Sequence, residues 1–182
     1  MGEAITIEQL KKEAERAYQS KDYLAAAQAF NAAADGYSQL GDGIQAAEMH
    51  NNASVAYLQA DQPEKALESA LDTDQVFAET GDSRRQAIAL GNQAAAYEAL
   101  GQLEAAARAY QASAELLKEI GDHELRPTVM QSLSAVQLRL GQQMDALVTM
   151  QAGLEEIEKP NLKQKMIKKI LRSPFSYFNR LT

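Results

Sequence analysis

Histidine stands at two positions only, His50 and His123, and cysteine at none. The chain therefore has little with which to build a catalytic triad, a two-histidine metal site, a thiolate site or a disulfide. His50 shares a column of forty-residue spacing with Leu10, Leu90 and Met130, which makes it a packing residue. His123 follows Gly121-Asp122 and reads as a helix-start residue. The carboxylate pairs Glu155-Glu156 and Glu13/Glu15 are of a kind that helical surfaces produce routinely, and the glycines are spread singly instead of forming a phosphate-binding loop. The expectation is no enzyme, no cofactor and no metal. What the polar residues do offer is hydrogen bonding. Asn52 and Asn92 recur at a spacing of 40, and an amide donates and accepts at once. A ladder of such groups can pair with the backbone of an extended peptide.

That spacing belongs to the whole chain. Gly41-Asp42, Gly81-Asp82 and Gly121-Asp122 recur every 40 residues, and Ala26, Ala66, Ala106 and Ala146 fall in one column. Phe30, Ala70, Tyr110 and Met150 form another; Tyr37, Phe77, Leu117 and Ile157 form a third. Each copy reads as two helices. In the third copy Ala87, Leu90, Ala94 and Tyr97 fall at helical spacing before Gly101, a left-handed cap; a second stripe from Leu103 to Leu117 closes at Gly121. Thr6-Ile7-Glu8-Gln9 and Ser83-Arg84-Arg85-Gln86 fit capping boxes, and Asp22 and Asp61 are candidate caps of second helices. Short connections make consecutive helices antiparallel neighbours. The alanine column lets helix axes approach closely, while Phe30, Tyr57, Tyr97 and Tyr110 fill the gaps as buried residues. A hairpin cannot bury its own stripe, so each must stack on the next. The fold class predicted is all-α: a right-handed α-solenoid of about four helix-turn-helix repeats plus a C-terminal capping helix. Its repeats span about 5–42, 43–82, 83–122 and 123–159, followed by a basic amphipathic helix over 160–172 and an aromatic tail over 173–182.

The small and large residues at Ala87, Leu90, Ala94, Tyr97, Ala106 and Tyr110, with Gly101 at the turn, resemble the tetratricopeptide-repeat family in its long, 40-residue form. The resemblance implies a non-catalytic protein-interaction scaffold whose first helices line a concave groove. It places Lys12, Asn51, Asn52, Val55, Leu58, Ile88, Asn92, Gln131 and Leu138 on that groove. The alternative for the amides is solvation or bonding between hairpins. Family members that clamp a terminal carboxylate need Asn, Lys and Arg where this chain has Glu15, Ile88 and Asn92, so that sub-type is argued against.

Alanine is the commonest residue and glutamine is abundant in a composition that is 46% hydrophobic and 24% charged, which favours helix over β-sandwich and over disorder. The net charge of −7 is uneven: residues 1–158 carry −14, and residues 159–182 carry +7 with no acid. Nucleic acid is not an expected partner of such a body. A protein or peptide is. Membrane contact falls to the basic tail alone, homo-oligomerisation stays open, and the absence of a long apolar run or basic-then-apolar leader points to the cytoplasm. The tail offers an alternative function, an assembly adaptor docking on an acidic protein or anionic membrane surface through Lys165, Lys168, Lys169, Phe175, Tyr177 and Phe178. Those aromatics could equally fold back on the body or swap into a neighbouring chain.

Overall fold

The computed structural model describes residues 6–157 and 160–169. Among them the chain forms α1 (Ile7–Gln19), α2 (Tyr23–Gln39), α3 (Gly43–Gln59), α4 (Pro63–Ala70), α5 (Thr73–Glu79), α6 (Ser83–Ala99), α7 (Leu103–Glu119), α8 (Arg126–Arg139) and α9 (Gln143–Glu155). A further helical run covers 162–169. Helices pack on their neighbours in chain order, except that α4 and α5 each pack between α3 and α6; α3 also packs on α6, so hairpin stacks on hairpin in an α-solenoid.

The alanine column does what its size allows. Ala26, Ala66, Ala106 and Ala146 are at most 1% exposed, and the large side chains of Phe30, Tyr57 and Tyr110 are buried beside them. Tyr97, expected to be buried, is only half-buried, packed on the edge of the core formed by Ala94, Ala106, Tyr110, Leu133 and Val136. The approach is tightest at Gly36 of α2, where an added Cβ would lie 2.7 Å from Cγ1 of Ile7 on α1, and is close again at Gly153, 3.0 Å from the Cβ of Met130 on α8.

Four local expectations need correction. The second helix of the second copy is broken: Asp72 takes a left-handed φ of 62° between α4 and α5. Asp tolerates that region better than most residues. The carbonyl of Ala70 freed by the break accepts from Thr73 Oγ1 at 2.7 Å and from Gln93 Nε2 at 3.1 Å. Asp61 does not cap α4; it sits at φ 57°, in the turn position that Gly101 and Gly141 hold later, and Gln62 precedes the helix. The cap of α6 is Asp82, not Ser83: its Oδ1 accepts from Arg85 N at 2.9 Å. His123 lies in an exposed turn ahead of α8, because Asp122 Oδ1 accepts from the N–H groups of Glu124 and Leu125 and helix begins only at Arg126-Pro127. Thr6 and Asp22 cap as expected.

His50 is half-buried between hairpins, its Nδ1 3.1 Å from Asn31 Oδ1, while Asn31 Nδ2 donates to Tyr57 OH and Ser69 Oγ at 3.4 Å each. Burial holds the imidazole pKa below its ordinary value, against a smaller upward pull from Asp35. The sign follows from linkage. The unfolded chain takes up a proton near pH 6.5, whereas the folded chain resists, so protons favour unfolding. The contribution is present above about pH 6.5 and is lost as pH falls through the lower folded value. Urea midpoints at pH 7.5 and pH 5 should therefore differ more for the parent chain than for His50→Leu. Equal differences would show that His50 carries no such coupling.

Candidate protein-binding groove

First helices α3 and α6 lie side by side, and one face of the pair is an open cleft of about 550 Å³. Asn51, Asn52 and Val55 line it from α3, Ile88 and Asn92 from α6. Helical spacing explains the grouping, since steps of three and four residues keep one side. Five of the nine groove positions expected from the sequence thus meet in one place. The other four are dispersed. Lys12 lines a separate cleft on the first hairpin with Gln9, Arg16 and Asp22. Leu58 packs against the core around Tyr57, and Leu138 is exposed on α8. Gln131 faces a cavity beneath the run 162–169.

The amides divide their work. Asn51 is buried, and its Nδ2 donates to Ala47 O at 3.1 Å. Asn92 Nδ2 donates to Asn51 Oδ1 at 3.0 Å, so this pair ties one hairpin to the next. Asn52 is half-buried in the cleft and has no hydrogen-bond partner among the described residues.

The cleft extends one turn further than sequence columns suggested, to Gln45, Glu48, Phe77, Arg84 and Arg85. Arg85 donates from Nε to Asp82 at 2.7 Å, pairs with Glu48 at 3.5 Å, and lies over the Phe77 ring at 5.4 Å. The backbone N–H of Arg85, then its guanidinium, hold the Asp82 carboxyl below the usual carboxylate range. Arg84 Nε reaches Asp122 on the following turn at 2.9 Å. Stepping back one helical turn from Asn51 and Ile88 would have found the rim; Phe77 had no such signal, because it arrives through the break before α5.

On the far side of α6, Tyr110 OH donates to Glu98 at 3.2 Å and Arg139 reaches the same carboxylate at 3.0 Å. Burial first, and then Glu98, push the Tyr110 hydroxyl up to about 12. This network joins α6, α7 and α8 away from the cleft. Of the tail residues, Lys165 and Lys169 are exposed and Lys168 Nζ donates to Leu154 O at 3.3 Å, while Phe175, Tyr177 and Phe178 lie outside the described residues.

Stacked helical hairpins with an open face on their first helices define a helical-repeat solenoid. The family model of the soluble NSF attachment protein, SNAP, matches residues 6–175, and the chain belongs to that family. Among solved structures it is similar to the crystal structure of the apo form of RapI, with a TM-score of 0.79 and 17% identity. That match covers 93% of this chain and 47% of the RapI chain, so this chain spans about half of RapI, and the likeness is one of fold. No curated protein matches the sequence. No helix among the described residues is long and apolar enough to cross a membrane.

Proposed function

We propose that the chain is a non-catalytic, cytoplasmic scaffold, built from repeats of the long tetratricopeptide type, that holds an extended segment of a partner protein in the cleft between α3 and α6. The observation that carries this reading is Asn52, an open amide set between Val55 and Ile88 in that cleft. Its carbonyl and amino groups suit a peptide N–H and C=O, and the two aliphatic groups suit alternate side chains of the same strand. Glu48 and Arg85 at the rim offer both signs of charge, which would select among sequences more than add affinity. Membership of a family named for attachment to a second protein supports an adaptor role.

Each of the two hydrogen bonds contributes about 0.5–1.5 kcal/mol and Asn52→Ala removes both, so it should weaken binding by about 5–150-fold. The measurement is titration of a linear peptide selected on the full chain, with helical content checked by circular dichroism. Ile88→Ala should weaken it too. Asn92→Ala is the poorer probe, because it also cuts the bond to Asn51. Full affinity in both Asn52→Ala and Ile88→Ala would overturn the groove assignment.

A further inference from the structure

The open end of the solenoid is only half covered. The run 162–169 starts at an Asn161 cap, where Asn161 N donates to Gln164 Oε1 at 2.8 Å and Gln164 N to Asn161 Oδ1 at 2.9 Å. Gln164 and Ile167 then face Met150, Leu154 and Ile157 across a cavity of about 280 Å³, and Lys168 is bonded to Leu154 O. This covers the C-terminal half of α9. The N-terminal half stays bare, with Met144 64%, Leu147 38% and Val148 56% exposed.

Earlier hairpins show what belongs there. The column of Leu147 holds Ala27, Leu67 and Ala107; Ala27 is fully buried, Leu67 packs in the same core as Ala96, and Ala107 packs in the same core as Val136. Ala96 and Val136 come from the next first helix. The same 40-residue step carries Ala56, Ala96 and Val136 to Ser176, Tyr57, Tyr97 and Gln137 to Tyr177, and Met130 to Ile170.

The geometry points to the chain's own residues 170–182 as the cover of this patch, with Tyr177 seated over Leu147. The reach is sufficient. Lys168 stands at Leu154, and the seven residues from there to Leu147 rise about 10 Å along α9. Residues 170–177 are enough chain for that distance in helical or extended form, with Pro174 barring an unbroken helix through all of them. Arg172 and Arg180 add positive charge against an acidic body, and Asp145 is exposed beside the patch. This inference is independent of the cleft between α3 and α6.

The native lack of cysteine makes the test direct. In the full chain, Leu147→Cys with Tyr177→Cys should form an intramolecular disulfide under mild oxidation, seen as a linked peptide pair in a monomer. Glu104→Cys with Tyr177→Cys, on exposed α7, should stay reduced. Removal of residues 170–182 should speed maleimide labelling of a lone Leu147→Cys. A covalent dimer would place a second copy on the patch and overturn the assignment. So would equal bonding in both pairs, no bonding in either, or labelling that ignores the truncation.

Discussion

Phe77→Ala is expected to lower the free energy of unfolding by about 3–5 kcal/mol, the range for aromatic truncation in a packed core. Phe77 is 2% exposed and forms a small cluster with Ala47 of α3 and Ala89 of α6. Both buried neighbours are alanines with no rotamer to move, which leaves only Val76 and the Arg85 side chain to fill part of the cavity. The Arg85 guanidinium would also lose the ring beneath it, a contact worth about 0.5–1 kcal/mol at an exposed site. Urea unfolding followed by circular dichroism checks the number. A loss under about 1 kcal/mol would show that α5 is not held by this side chain. Phe77 also lines the cleft, so the same variant should bind a groove peptide less well even where it remains folded.

Ala106→Leu should cost about 1–3 kcal/mol in the opposite way, by overfilling. Ala106 is fully buried in the core that holds Ala94 of α6 with Leu133 and Val136 of α8. Three added carbons there force α7 away from its neighbours or push Tyr110 out of place. Helical content should persist while the urea midpoint falls. A midpoint unchanged within about 0.3 kcal/mol would mean that the column has slack and does not set the pitch of the stack. Leu67 is the useful contrast, since the next column, one residue on and turned about 100° round the helix, already accepts a leucine, half-buried.

The repeat was legible because it is written in side-chain volume, and volume is what close helix packing selects. Ala26, Ala66, Ala106 and Ala146 gave the hairpins, and Gly101 and Gly141 gave the turns through their left-handed φ. The same turn was hidden at Asp61, where a carboxylate in a left-handed backbone looks like a cap in sequence. The break at Asp72 was hidden for a related reason. No glycine or proline marks it, and its compensation comes from Gln93, twenty-odd residues away. For the candidate site, columns group Asn51, Asn52, Val55, Ile88 and Asn92, which share the cleft between α3 and α6. They could not tell that Asn92 spends its amino group on Asn51, because hydrogen bonding between neighbouring hairpins and bonding to a ligand ask for the same side chain. Lys12 and Gln131 lie on the terminal hairpins and line other clefts, because the same columns meet different neighbours there.

One helix is shared by all three buried clusters and the cleft. Ala96 of α6 belongs to the first core, Ala94 to the second and Ala89 to the cluster of Phe77, while Arg84, Arg85 and Asn92 tie the same helix outward. Fraying begins where neighbours are few, at the ends of such a stack, and reaches its middle last. A peptide laid along α6 would thus meet a backbone already fixed by its neighbours, with only side chains such as Asn52 and Ile88 left to order, and the entropic cost of docking on the protein side would be small.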